Sequence, residues 1–260
     1  MSYYYRNGEI GIIILCVHDG KDRLDLIKRK KNYSDKDNKE KFVLQNDVNT
    51  RIISNKIRKN LSLCLNQKPY LLINNINRKY LDLNRELKLG TSNQKSELYW
   101  YNFHNKLESL IQECKNKYGY CLLLDVHGNK HTHNIIQLGY GIKYKKLENL
   151  KSDNLSLQHL KTKYTPLSIT IGERSLGKFI DNFLITAPSP RLNSKIKMEI
   201  IEDDEKYYKG GFITKYYSKK FLIDCIQIEI SQDLRLNNIL DFTSNAISSG
   251  ICNFYKKNYL

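Results

Sequence analysis

The sequence predicts an α/β fold, a doubly wound, mostly parallel mixed sheet flanked by helices. Three observations carry this. Continuous apolar runs of buried-strand length recur along the chain. Stretches with apolar residues at helical spacing separate them. Two of the runs end in acid–imidazole–glycine groups, His-Asp-Gly at 18–20 and Asp-Val-His-Gly at 125–128, the strand-end placement α/β proteins use for functional side chains. At 260 residues the chain suits one domain that buries roughly three quarters of its unfolded surface. No repeat or linker divides 1–260.

The elements follow in order. Residues 11–17 (GIIILCV) form a strand-length run that stops at His18, Asp19 and Gly20, a loop signal. Residues 21–46 are charged, with KRKK at 28–31, and read as an exposed loop with short helices. Helical spacing begins in 47–61 (DVNTRIISNKIRKNL), with Asp47 or Asn49 as its cap. Residues 69–76 (PYLLINNI) read as a second strand, followed by Arg78 and YLDLNRE at 80–86. Residues 96–118 are helical, with Leu98, Phe103, Leu107, Leu110 and Ile111 as core positions. The run at 121–126 is the next strand. Residues 144–165, rich in Lys, Leu and Asn without a clear period, read as an insertion or a peripheral helix. Residues 167–171 (LSITI) predict a short strand and 203–211 a loop. A late strand at 225–230 (CIQIEI) carries Glu229, and a final helix runs over 240–255.

Composition bounds the function. The six cysteines form no CxxC pair, and Cys16, Cys121 and Cys225 lie inside apolar runs. Reduced, buried thiols are therefore expected rather than a disulfide framework. No run approaches the ~18 apolar residues of a membrane helix. The opening MSYYYRNGEI lacks the apolar core of a signal peptide. A cytoplasmic protein with no membrane partner is expected. The net charge of +16, from 43 Lys+Arg against 27 Asp+Glu, would attract phosphate-rich partners. The basic residues are mainly Lys, set among Asn, Ile and Tyr, which is the bias of an AT-rich genome. Nucleic acid is thus a partner the charge permits without favouring. No feature of the sequence sets an oligomeric state.

The chemistry-bearing residues fall into three groups. His18 and His127 end apolar runs, and equivalent strand ends of a parallel sheet lie along one edge, so the imidazoles can converge. Asp47, at a helix start, can bring a carboxylate to the same edge or can simply cap the helix. Two His and one carboxylate with an open position make a catalytic zinc set. Asp125 lies two residues before His127, on the same strand face, and is placed to orient an imidazole. His131 and His133, in the loop HGNKHTH, read as substrate contacts or as plain loop histidines. Glu229 is an acid in an otherwise Cys, Ile and Gln strand. Burying it is costly; a carboxylate beside a metal is the usual general base, and a structural ion pair is the alternative. Asn84 and Arg85 pair an amide with a guanidinium, which suits a substrate carboxylate. Arg78 is placed to polarise a scissile carbonyl, and an Asp82–Arg ion pair is the structural alternative.

In their order these motifs resemble the N-formylglutamate amidohydrolase family. The set is His18-Asp19-Gly20, Asp47 opening a helix, YLDLNRE at 80–86, Tyr101 and His104 in a helix, LLLDVHG at 122–128, GGFIT at 210–214 and IQIEI at 226–230. LDLNRE is also similar to the Asn-Arg carboxylate-binding segment of zinc carboxypeptidases, whose fold the resemblance implies. It further implies a hydrolase with one zinc ion, or another divalent metal, that activates water against an N-acyl amino acid or a short peptide-like amide. Carried over, His18, Asp47 and His127 would hold the metal and Glu229 would be the general base. Asn84 and Arg85 would hold the substrate carboxylate, and Arg78 the developing oxyanion. Four features depart from the family: Asp19-Gly20 after the first histidine, Gly128 where Ser is common, the extra histidines of the HGNKHTH loop, and residues 144–165, which look inserted. The alternative function is a catalytically inactive member of the fold that binds nucleic acid or serves a structural role.

Overall fold

Seven strands make one sheet: β1 (Tyr3–Arg6), β2 (Ile12–Cys16), β3 (Tyr70–Asn74), β4 (Leu122–Gly128), β5 (Ile135–Gly139), β6 (Ile185–Ala187) and β7 (Asp224–Ile230). Their order across the sheet is β1-β3-β2-β4-β7-β5-β6. This computed structural model describes residues 1–30, 42–148, 154–192 and 207–260. The four central strands are parallel. β1 joins β3 and β5 joins β7 in antiparallel pairs, while β6 is parallel to β5. The sheet is the mostly parallel, mixed one the sequence predicts.

Helices α1 (Thr50–Leu65), α2 (Leu87–Gly90), α3 (Gln94–Tyr118), α4 (Tyr144–Glu148), α5 (Pro166–Thr170), α6 (Leu176–Ile180), α7 (Phe212–Phe221) and α8 (Leu240–Tyr259) accompany it. The aliphatic runs are buried on both faces, and strand alternation divides them between two cores. Ile12, Ile14 and Cys16 face the core shared with Ile53, Ile57 and Leu61 of α1 and with α8. Ile13, Leu15 and Val17 face Phe103, Leu107, Leu110 and Ile111 of α3 and Ile213 and Tyr217 of α7. A buried central strand therefore needs no polar face, which is why these runs read as continuous rather than alternating. Helix α3 starts in a reciprocal cap, Asn93 Oδ1 accepting from Ser96 N at 2.9 Å and Ser96 Oγ from Asn93 N at 3.0 Å. It ends at Gly119, whose φ of 80° glycine adopts freely.

Several expectations are corrected. Leu98 is 57% exposed, because it precedes Phe103 by five residues and so lies about 140° round the helix from it. Residues 167–171 form no strand. Pro166 opens α5 after an extended Thr165, a position that suits a residue with fixed φ and no N–H to offer. Within the basic segment Arg29 is buried and donates to the carbonyls of Arg78, Leu89 and Val43. Residues 31–41 lie outside the described residues, as do 203–206 of the expected loop. Of the stretch 144–165, residues 149–153 lie outside the described residues, and Leu147, Leu155, Leu157 and Leu160 are fully buried. Cys64 and Cys252 form a disulfide with Cα atoms 6.6 Å apart. Their pairing depends on α1 packing against α8, which spacing in the sequence does not display. Cys16, Cys114, Cys121 and Cys225 are buried free thiols. Among the described residues no helix is long and apolar enough to cross a membrane.

A candidate metal centre at the strand ends

The centre follows from strand order. β2 and β4 are neighbours, so the residues just beyond and at their carboxyl ends meet, and the His18 and His127 rings lie 4.7 Å apart, edge to face. β7 lies on the other side of β4 with His127 and Glu229 in register. Asp47 comes from the turn before α1, where its N–H donates to His18 O at 3.0 Å. Neither expected helix cap operates. Asn49 occupies the cap position without a side-chain bond to the helix's own N–H groups, and Asp19 Oδ2 instead accepts from Arg51 N at 3.0 Å. The Asp47 carboxylate is thereby available to the centre.

One ligand atom each from His18, Asp47 and His127 lies within 4.8 Å of the others. Asp47 Oδ2 is 3.3 Å from His18 Nδ1 and 3.1 Å from His127 Nδ1. It also accepts from Gly128 N at 3.1 Å. The far nitrogen of each ring faces a second carboxylate: His18 Nε2 is 2.7 Å from Asp82 Oδ1, and His127 Nε2 is 2.9 Å from Asp125 Oδ2. A ring that donates from Nε2 turns its Nδ1 lone pair toward the shared point, which is how outer carboxylates orient imidazole ligands. Two such lone pairs and a carboxylate oxygen make a donor set that fits a divalent cation. All three residues are at most 5% exposed.

The electrostatics reflect this crowding. Burial works against a charged His127, but Asp125, Asp47 and Glu229 outweigh it and hold the imidazolium well above its ordinary range. Burial likewise opposes ionised Asp47, which His18, His127 and Arg78 nevertheless hold below the usual carboxylate range. Asp82 is buried too, yet Arg78, His18 and Arg29 keep it ionised well below that range. Glu229 goes the other way. Burial pushes it up to about 7, with His127 opposing and Asp47 adding to the shift. Its Oε1 accepts from Gln227 Nε2 at 2.7 Å, while Oε2 is buried without a hydrogen-bond partner.

The remaining expected residues divide. Arg78 reaches the centre, with Nη1 3.2 Å from Asp47 Oδ1 and Nε 3.1 Å from Asp82 Oδ2. It thus touches a carboxylate of the candidate centre and forms the expected pair with Asp82 at the same time. Asn84 Nδ2 lies 3.2 Å from His127 Nε2, and its Oδ1 accepts from Ile213 N at 2.9 Å. Arg85 is half-buried beside it and donates to Asn84 O at 3.3 Å, while Trp100 Nε1 fixes Arg85 O at 3.1 Å. His131 is half-buried against the Tyr208 ring, and His133 is exposed, 6.3 Å from His131. Two contributors escape the sequence reading. Asp82 serves an imidazole as well as an arginine. Arg235, a lone basic residue in SQDLRLNN, reaches backbone carbonyls on three sides of the centre.

A family model described as N-formylglutamate amidohydrolase matches residues 87–236. That segment holds His127 and Glu229, whereas His18, Asp47, Arg78, Asn84 and Arg85 precede it. No curated protein sequence matches the chain. The structure is similar to that of N-formylglutamate amidohydrolase from Ralstonia eutropha, with a TM-score of 0.59 at 12% identity over 98% of this chain and 99% of that one. It is also similar to a gene product of Agrobacterium tumefaciens, with a TM-score of 0.52 at 12% identity over 99% and 93% of the two chains. A metallo-carboxypeptidase from Burkholderia cenocepacia aligns over 96% of this chain and 58% of that one, with a TM-score of 0.45 at 10% identity. At these identities the likeness is one of fold.

Proposed function

The chain belongs to the N-formylglutamate amidohydrolase family, and on that premise we propose that it is a zinc-dependent hydrolase of the amide bond in an N-acyl amino acid or a short peptide-like substrate. The observation that carries the reading is the convergence of His18, Asp47 and His127 with a further carboxylate behind each imidazole. These three would hold one ion. His and carboxylate donors suit zinc among the divalent metals. Such an ion supplies Lewis-acid chemistry, lowering the pKa of water and polarising an acyl oxygen.

The protein's own groups account for the rest. Arg85 binds the substrate carboxylate through its planar guanidinium. Asn84 holds the loop beside His127 and the start of α7, so the clamp and the centre share one frame. Arg78 carries positive charge next to Asp47 and stabilises the oxygen on which negative charge develops. Glu229, poised near neutrality, takes a proton from the attacking water at Oε2 and delivers it to the leaving amine nitrogen. His131 and His133 contact the part of the substrate that differs among N-acyl amino acids.

The test is hydrolysis of a panel of N-acyl amino acids, followed by release of the free amine. The reading requires turnover of at least one anionic member, lost on chelation and restored by zinc. Salt-dependent binding of DNA with no hydrolysis across the panel would favour the inactive, nucleic-acid-binding alternative.

A further inference from the structure

The proposed roles leave the buried guanidinium of Arg235 unused. Arg235, 9% exposed, follows β7 in a short 3-10 turn (Asp233–Arg235). Its Nε donates to Ile230 O at 3.1 Å, its Nη2 to Asn129 O at 2.8 Å and its Nη1 to Val48 O. Each acceptor sits within two residues of a group in the centre: Ile230 follows Glu229, Asn129 is two beyond His127, and Val48 follows Asp47. The clasp is reciprocal. Asn49, at φ 70°, donates from Nδ2 to Arg235 O at 2.7 Å and so holds the same turn from its other end.

Gly128 makes room for this arrangement. A Cβ at 128 would lie 2.5 Å from both Arg235 Cζ and Nε. The Gly128 backbone is not left-handed, so the approach of the guanidinium, rather than backbone conformation, requires glycine there.

We propose that Arg235 is a positioning residue that fixes the relative placement of Asp47, His127 and Glu229 by bridging the three backbone segments that carry them, with Gly128 as its steric counterpart. A planar fork with five N–H donors suits three carbonyls from different directions, and a lysine cannot reproduce it. The inference rests on the reading of the site as a metal centre.

Cobalt binding to the full chain provides the test, read as affinity against a competing chelator and as the visible spectrum of the bound ion. Arg235→Ala weakens cobalt about 10- to 100-fold, the range seen when outer-shell support of ligands is lost, and alters the spectrum. Arg235→Lys restores only part of the affinity. Gly128→Ala weakens binding in the wild-type background but adds little to Arg235→Ala, because the clash it creates is with the side chain already removed. Wild-type affinity and spectrum in Arg235→Ala, with only a lower melting temperature, would reduce Arg235 to a structural role and overturn the proposal, as would full additivity with Gly128→Ala. Should Arg235→Ala fail to fold, Arg235→Lys and Gly128→Ala decide the matter by the same two readouts: weaker cobalt and a changed spectrum support the proposal, wild-type values overturn it. A wild type that binds no cobalt overturns the metal reading and this inference with it. A wild type that binds while the variants match it overturns this inference alone.

Discussion

His18 and His127 at the sheet's edge, and His104 in α3, are all at most 2% exposed, yet they are buried in opposite ways. His104 lies in a nearly charge-free nest. Its ring sits 3.8 Å from that of Trp100 and 5.8 Å from that of Phe212, and Nδ1 is 2.7 Å from the Tyr217 hydroxyl. Burial there pushes its pKa down to about 3. His127 has comparable burial but three acids around it, and is driven in the other direction. Burial alone neutralises an imidazole. Burial among carboxylates creates a place that demands positive charge, and a divalent ion in the centre would meet that demand.

This contrast yields graded predictions. The largest effect is expected for Glu229→Gln, which removes the proposed base but keeps a side chain of the same shape. Turnover should fall by about 10²–10⁴ in a steady-state assay, with metal content unchanged. Retained turnover would remove Glu229 from the mechanism. Next comes Asp125→Asn, which lessens the charge behind His127 without altering the ligand set. Metal affinity should weaken about 10- to 100-fold by chelator competition. Asp82→Asn should do the same, but it also deprives Arg78 and Arg29 of a buried partner, so it is expected to lower the melting temperature as well.

The expectations for His104 are smaller and concern stability. Its folded pKa lies below the unfolded one, so the unfolded chain takes up the proton first as pH falls. Stability contributed by the neutral ring is fully present above about pH 6.5 and is lost toward pH 3 at up to about 1.4 kcal/mol per pH unit. His104→Phe should flatten that acid limb in denaturant titrations. At neutral pH it leaves the Tyr217 hydroxyl unpaired, at a cost of about 1–3 kcal/mol, without changing metal affinity. A change in metal affinity in that variant would erase the distinction between the two kinds of buried histidine.

The sequence made the central strands readable because residues 11–17, 69–76, 121–126 and 225–230 are buried on both faces and therefore unbroken in their apolar character. It hid β1, with Tyr3–Arg6 at an edge, and β6, three residues long, because such strands depend on a neighbour rather than on their own pattern, and it left β5 (Ile135–Gly139) unread within the glycine-rich stretch after His127. The convergence of His18, Asp47 and His127 was legible from strand-end placement plus the family resemblance. Asp82 was half legible, since an acid near an arginine suggests an ion pair but does not reveal that the same carboxylate faces His18. Arg235 was not legible. Its three acceptors are backbone carbonyls, which any residue supplies, and only the folded chain brings Val48, Asn129 and Ile230 to one guanidinium. The Cys64–Cys252 link was hidden for the same reason.

The central claim is that His18, Asp47 and His127 form one metal site, and metal analysis of the purified chain beside Asp47→Ala tests it most directly. About one equivalent of zinc per wild-type chain, falling below about a tenth in the variant and released from the wild type as pH drops because protons compete with the ion for the ligands, is the expected result. Less than about a tenth of an equivalent in the wild type with no uptake on adding zinc, or full occupancy in Asp47→Ala, would contradict it.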